Sequence, residues 1–192
     1  DYSDLKSIFL LIFPEIRYID RLKKISGQED ILRSDIVNQL GILIIDETNN
    51  QEYFCHKYKT SKNISDKLNL LATQYRELKK DRNFFDKNLK KNIYFLGKGV
   101  LKMINLIDYS EKKGANNISS NNHLKKYLDI KLKIEKIEVP RFLVDGNYLK
   151  KIGMKEGKAI GRALKLIERE WVDNDFNISE ERILKIVGNK NN

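Results

Sequence analysis

Apolar residues at helical spacing, in a chain with very few helix breakers, restrict this protein to an α-helical fold. Pro occurs only twice in 192 residues. In one segment after another, apolar side chains recur three or four residues apart, which is the period of an amphipathic helix. No alternating pattern typical of a β-hairpin interrupts them. The sequence therefore predicts an all-α protein, a helical array of about nine to ten helices in two units.

Capping residues and glycines set the expected helix boundaries. Pro14 suits a first helical turn, Gly27 and Gly97 suit helix ends, and Asp30 and Asp145 suit N-caps. The predicted helices cover residues 3–13, 14–26, 30–45, 51–59, 66–80, 87–96, 100–112, 123–137, 145–152 and a last long one that has Gly157 in its first turn. The polar stretch GANNISSNN, residues 114–122, predicts the boundary between a body domain, residues 1–115, and a tail domain, residues 116–192.

The charge balance favours a polyanionic partner. Lys and Arg number 37 against 27 Asp and Glu, which gives a net charge of +10 and a pI near 9.5. Such an excess is typical of nucleic-acid binding. The alternative is a solvated surface in a protein from a Lys-rich and Asn-rich proteome.

Cysteine content and hydropathy bear on the compartment. Cys55 is the single cysteine, so no disulfide can form within the chain, as suits a reducing cytoplasm. The most apolar run, SIFLLIF, is far too short to cross a bilayer. We therefore expect a cytoplasmic protein without a membrane partner; the oligomeric state is left open.

The stretch LVDGNYLKKIGMKEGKAIGRALKLIEREWVDNDF, residues 143–176, is the candidate binding site. Asp145 would cap a short helix, and Gly153 would end it in a left-handed conformation. Gly157 would let free backbone N–H groups approach a phosphate at the start of the next helix. Gly161, one turn later, could let another helix pack closely.

The long helix that follows divides into two faces. One face is apolar and consists of Ile160, Leu164, Ile167 and Trp171, with Ala163 beside them. The opposite face carries Lys158, Arg162, Lys165 and Arg169. The apolar face predicts core packing, whereas the basic face fits either a solvated surface or a grip on a nucleic-acid backbone. With Lys150, Lys151, Lys155 and Gly157 around the glycine turn, these four cations are the candidate RNA-binding residues.

The same stretch resembles the C-terminal tail of bacterial class II tRNA nucleotidyltransferases, the CCA-adding enzymes and their poly(A) polymerase relatives, of the alphaproteobacterial type. The matching residues are Pro140, Phe142, Gly146, Leu149, Ile152, Gly153, Gly157, Ile160, Gly161, Leu164, Ile167, Glu168, Trp171, Asp175 and Phe176. The chain departs from the family pattern at Glu156 and Lys158, where Pro is usual, and at Tyr148, where Asp is usual. Two further stretches, LKSIFLLIFPEIRYIDRL and LKKNIYFLGKGVLKMINL, are similar to body segments of that family.

The resemblance implies the C-terminal body and tail of an enzyme that adds CCA to tRNA 3′ ends. CTP, ATP and Mg²⁺ would be bound by a catalytic head that this chain lacks. We therefore expect no cofactor and no nucleotidyltransferase activity in this chain alone. Body and tail would hold the acceptor and T arms of tRNA by shape and backbone. The head and neck would decide between full CCA, partial CCA and poly(A) addition.

Three other patterns suggest catalytic or metal chemistry but fit it poorly. Asp173 and Asp175 form a D-x-D pair, yet they follow a helix end without a Gly-Ser loop. The run EDILR, residues 29–33, copies a nucleotide-pairing motif of the family but comes after the Pro14-Glu15 segment rather than before it, so acidic first-turn residues of a helix are the better interpretation. Cys55 and His56 have only His123 as a further histidine, which gives no zinc-ligand spacing.

Two other functional classes stay open at this point. A helix-hairpin-helix type DNA-binding module would use the same glycine turn. A helical protein-docking domain would need no nucleic acid at all.

Overall fold

The protein is described from a computed structural model, which covers residues 2–25, 27–28, 30–33, 35–81, 83–111 and 117–188. Within these residues the regular secondary structure consists of helices, joined by turns and loops, and contains no strand. The helices are α1 Tyr2–Ile12, α2 Arg21–Lys24, α3 Asp30–Arg33, α4 Ile36–Ile44, α5 Asn50–Lys57, α6 Lys62–Lys80, α7 Leu89–Glu111, α8 Asn117–Lys136, α9 Gly146–Lys151, α10 Lys158–Asp173 and α11 Glu180–Gly188. The all-α prediction is confirmed.

The chain forms two compact units, residues 1–137 and 138–192. The expected boundary between residues 115 and 116 falls within 112–116, outside the described residues. The observed division comes later because α8, which was expected in the tail, packs along α7. The amide of Asn105 donates to the carbonyl of Tyr127 at 3.0 Å, and the rings of Tyr109 and Tyr127 stack at 4.9 Å. These buried contacts make α8 part of the first unit.

Helix α7 is the centre of the first unit, because α2, α3, α4, α6 and α8 all contact it. Its inward residues Leu101, Ile104 and Ile107 are fully buried. Burial of such side chains contributes roughly 1.5–3 kcal/mol each, which explains why the long helices assemble around it. Two separate helices are predicted here, and the break between them is confirmed: Gly97 has a non-helical backbone, with φ at 79° and ψ at 156°, so α7 consists of two helical segments joined by a kink.

Two of the expected helices differ from the structure. The single helix expected over residues 30–45 is split into α3 and α4, because the Asp35 carboxylate accepts from the backbone N–H of Val37 at 3.0 Å and starts a new helix. Residues 14–20 form turns rather than a helix, and α2 starts only at Arg21. The similarity to family body segments at Pro14-Glu15 thus falls on a turn.

Glu15 ties this turn to α5. Its carboxylate accepts hydrogen bonds from Lys57 Nζ at 3.0 and 3.1 Å and from the hydroxyl of Tyr58 at 3.1 Å. Burial disfavours the ionised carboxylate, but these hydrogen bonds outweigh it and lower the pKa of Glu15. Glu15 therefore has a structural role in the turn.

Arg21 holds the first unit together from inside. It is only 3% exposed, and its guanidinium donates to the carbonyls of Ile42 at 3.1 Å and Ile45 at 2.7 Å. These are carbonyls at the end of α4, which the helix itself cannot satisfy. The same guanidinium forms an ion pair with Glu111 and lies 3.8 Å from the centre of the Tyr18 ring. A charged side chain thus joins α2, α4 and α7.

Glu111 is stabilised as a carboxylate by two cations. Burial disfavours its ionised form, but the hydrogen bond from Lys79 and the charges of Arg21 and Lys79 outweigh burial and lower the pKa of Glu111. Lys79 Nζ lies 2.8 Å from Glu111 and 3.0 Å from Asp108. Glu111 is therefore ionised around neutral pH.

Among the described residues, no helix is both long enough and apolar enough to cross a membrane.

Candidate nucleic-acid interface

The candidate site in the second unit begins with the short helix α9, which has a capped N-terminus. The Asp145 carboxylate accepts from the backbone N–H of Tyr148 at 2.8 Å, which is the predicted N-cap of α9. Gly153 follows the helix with φ at 102°, and the N–H of Met154 donates to the Leu149 carbonyl at 3.0 Å. The predicted left-handed conformation of Gly153 is confirmed, and it turns the chain toward α10.

Gly157 starts α10. It was expected in the first helical turn but is the N-cap, with φ at 140° and ψ at −169°. A side chain there would be conformationally strained, although an added Cβ would meet no atom within 4 Å. Since glycine provides no capping side chain, the first backbone N–H groups of α10 have no side-chain acceptor from the cap, although the N–H of Ile160 donates to the Gly157 carbonyl at 3.1 Å.

The apolar face of α10 builds the core of this unit. Ile160, Ala163, Ile167 and Trp171 are buried, and Leu164 is half-buried against the same cluster. Helix α11 contributes Ile183, Ile186 and Val187 to it. The Trp171 ring packs against Phe142 at 5.2 Å and against Phe176 at 5.0 Å. The predicted apolar face is therefore confirmed as core.

The opposite face of α10 is exposed along its length. Its four cations, Lys158, Arg162, Lys165 and Arg169, all lie on the surface. Within the described part of the chain, Lys158, Arg162 and Lys165 form no salt bridge, whereas Arg169 lies 3.9 Å from Asp173 one turn later. Three of the four charges are thus available to an outside anion, and their spacing along the helix forms a continuous basic stripe, which we call the α10 basic face.

The lysines around the glycine turn differ in how free they are. Lys151 and Lys155 are exposed and lack a salt-bridge partner among the described residues. Lys150 Nζ instead lies 2.9 Å from the Glu156 carboxylate, and that hydrogen bond lowers the pKa of Glu156. Part of the positive charge near Gly157 is therefore neutralised within the protein.

A cleft of about 500 Å³ opens between the starts of α9 and α10. Three of the residues that line the cleft, Gly146, Gly157 and Gly161, have no side chain, and Asn147 lines it as well. Asn147 was not among the predicted site residues, since a single Asn in a helix start carries no signal of its own. Lys150 and Glu156 also line the cleft, and they are paired with each other at 2.9 Å, so their charges offset each other there.

Gly161 does not serve close helix packing. An added Cβ there would meet open space, so the expected approach of another helix at this position was wrong. The residue is exposed on α10 and simply widens the cleft.

The described residues do not fit a two-metal catalytic centre, because no group of three or more His, Cys, Asp or Glu among them could hold a metal ion. Asp173 is exposed at the end of α10, and Asp175 lies beyond it with φ at 54°. Cys55 is half-buried and His56 exposed on α5. Asp30 opens α3, while Glu29 lies outside the described residues.

Replacing Gly153 with Ala is expected to lower the free energy of unfolding by about 1 kcal/mol, because a Cβ disfavours its φ of 102°. No atom lies within 4 Å of the added Cβ, so the cost is confined to the backbone. Gly161→Ala is the matched control: the same added methyl inside a helix is expected to stabilise by up to ~1 kcal/mol. Urea unfolding followed by Trp171 fluorescence measures both, and equal effects of the two substitutions would contradict the prediction.

The chain is all-α, with a basic helical face opposite a packed core, and a comparison with protein families identifies its class. The model of the family tRNA nucleotidyltransferase domain 2 matches residues 38–187. The chain belongs to this family and corresponds to the C-terminal body and tail region of a tRNA nucleotidyltransferase. Comparisons with curated proteins and with solved structures gave no significant match.

Proposed function

We propose that this chain is the tRNA-binding C-terminal part of a CCA-adding tRNA nucleotidyltransferase. Membership of the family indicates tRNA as the partner of the whole enzyme. The observation that carries the proposal is the α10 basic face, with three cations that no carboxylate in the described residues neutralises. In the whole enzyme, CTP, ATP and Mg²⁺ would be held by a separate catalytic head, and the expected site of action is the cytoplasm.

The proposed contact is with the RNA backbone. The cations recur at helical spacing and so follow one straight line of about 1.5 Å per residue, which suits successive phosphates of a duplex arm. Backbone N–H groups at the start of α10 add hydrogen-bond donors at one end of that line. A-form RNA offers proteins its phosphates and 2′-hydroxyl groups rather than readable base edges. We therefore assign the tail to the acceptor and T arms, which it would recognise by shape.

The test is a charge reversal on this face. The double variant Lys158→Glu, Arg162→Glu should weaken binding of a tRNA that lacks CCA by at least about tenfold at low salt. The slope of log affinity against log salt should also fall by about two units, roughly one for each phosphate contact. Nitrocellulose filter binding over a series of salt concentrations measures both quantities.

A matched control separates the face from total charge. Arg141→Glu, Lys185→Glu makes the same change in net charge at exposed residues of the same unit that have no salt-bridge partner in the described chain. This variant should keep the wild-type slope. Equal losses in the two variants, or an unchanged affinity for the α10 variant, would show that the α10 basic face is only solvated surface.

Helix α9, the turn at Gly153 and α10 also have the arrangement expected of a helix-hairpin-helix module that binds DNA. Competition between the tRNA and a DNA duplex of similar length, at equal salt, distinguishes the two. Preference for the tRNA is the expected result. Preference for DNA would favour the hairpin class, and absence of any salt-dependent binding would favour a protein-docking role.

A further inference from the structure

The first unit contains a cavity of about 480 Å³ between the end of α6, the following loop and α8. Its residues are Leu78, Phe85, Asp86, Asn122, Lys125, Lys126, Asp129, Ile130 and Lys133. A volume of this size accommodates a small organic ligand. The cavity belongs to the first unit and shares no residue with the α10 basic face.

The floor of the cavity is apolar. Phe85 is 6% exposed and fixed edge-on against Phe84 at 5.2 Å, while Leu78 and Ile130 are half-buried on either side. Such a floor offers a flat or apolar group a place out of water. An inorganic anion alone would leave this floor unused.

The rim of the cavity is basic on one side. Asn122, Lys126, Asp129 and Lys133 recur three or four residues apart on α8 and therefore share one side of that helix. Lys133 is paired with Asp86 at 2.8 Å. Lys125 and Lys126 are exposed and form no salt bridge within the described residues. The hydrogen bond from Lys133, and to a lesser degree the charge of Lys126, lower the pKa of Asp86, so Lys126 already interacts with one carboxylate of the cavity. Neither Lys125 nor Lys126 is held in a direct ion pair by the described residues, so both side chains can reach an anionic group above the apolar floor.

The remaining polar groups restrict the ligand further. Asp86 and Asp129 accept hydrogen bonds, and Asn122 both donates and accepts. A fatty acyl chain would leave these groups facing hydrocarbon, which costs free energy. A nucleobase or a ribose instead presents amino and hydroxyl donors beside a flat apolar ring.

We propose that this cavity binds a nucleotide, with the base on the floor formed by Leu78, Phe85 and Ile130 and the phosphate between Lys125 and Lys126. The nucleotide can come from an RNA chain or from a free mononucleotide, since both present the same base and phosphate.

The test uses the whole 192-residue chain and two-dimensional ¹H–¹⁵N NMR titrations. The probes are AMP, adenosine, inorganic phosphate and the trinucleotide ApApA. AMP should shift the amide signals of Phe85, Lys126 and Ile130 in a saturable way. Its Kd should be at least about tenfold lower than that of adenosine or of phosphate, each of which lacks half of the recognised ligand. Tighter binding of ApApA identifies RNA as the source, and tighter binding of AMP identifies the free nucleotide.

Two lysine variants assign the effect to the cavity. Lys125→Ala, Lys126→Ala should raise the Kd of AMP by about tenfold or more. Lys24→Ala, Lys62→Ala removes the same charge from exposed helical positions of the same unit that have no salt-bridge partner in the described chain, and it should change the Kd by less than about twofold. The proposal is overturned if no probe shifts these signals, if phosphate binds as tightly as AMP, or if both variants weaken AMP equally.

Discussion

Replacing Arg21 with Met is expected to lower the free energy of unfolding of the first unit by about 3–5 kcal/mol. Met fills a similar volume but donates no hydrogen bond. The carbonyls of Ile42 and Ile45 then stay buried without the donor they have at 3.1 and 2.7 Å. Glu111 also loses the cation that pairs with it from inside the core. Urea unfolding followed by far-UV circular dichroism measures the change.

Lys80→Met is the control for the loss of one positive charge. Lys80 pairs with Glu77 at 2.8 Å, but its side chain is 70% exposed, so an effect below about 1 kcal/mol is expected. In Arg21→Met, Glu111 still pairs with Lys79 at 2.8 Å, so the loss should come mainly from the buried carbonyls of Ile42 and Ile45. A cost for Arg21→Met no larger than that for Lys80→Met would show that Arg21 does not hold the unit together.

Replacing Ile167 with Ala is expected to cost the second unit about 2–5 kcal/mol. Ile167 is fully buried between α10 and the residues of α11 that complete the core. Residues 138–192 form a small unit, so a cavity of this kind removes a large share of its stability. The basic side chains would then lose the helix that aligns them, and tRNA affinity should fall together with the fold.

The single tryptophan of the chain reports on this unit directly. Trp171 packs on Phe142 and Phe176, so its emission should shift when the unit unfolds in urea. Leu166→Ala is the matched control, because Leu166 is the neighbouring residue of the same helix but is 36% exposed. It should cost about 1 kcal/mol or less. Equal midpoints for the two variants would contradict the assignment of this face as core.

The two proposed binding surfaces would both use cations on a helix, but they would recognise different parts of a nucleic acid. On α10 the cations stand on a rigid helix whose other face is locked into a core, so they keep their spacing when they are exposed to a phosphate backbone. On α8 the lysines stand beside an apolar floor instead, which adds selectivity for a base. The α10 basic face would recognise charge and shape, and the cavity beside α8 would recognise the base and the phosphate of one nucleotide.

Much of the candidate site could be predicted from the sequence because its structure is local. The division of α10 into an apolar and a basic face follows from the helical period alone, and the N-cap of Asp145 and the positive φ of Gly153 follow from residue chemistry within a few positions. The helical period does not show whether a lysine or arginine already forms a salt bridge within the protein. The salt bridge of Lys150 with Glu156 across the turn depends on side-chain geometry that only the folded chain defines.

The long-range organisation was decided by the tertiary structure. The polar composition of residues 114–122 predicts the boundary between the two domains there. In the structure α8 packs on α7, and the two units divide after residue 137. Arg21 lies in a sequence context typical of surface, but its carbonyl and carboxylate partners come from α4 and from the end of α7, 90 residues away. By itself the sequence determined the fold class and the faces of each helix, since these depend on neighbours three or four residues apart. Which helices meet, and which charges become buried, depended on contacts between distant residues, whose free energy exists only once the helices have packed.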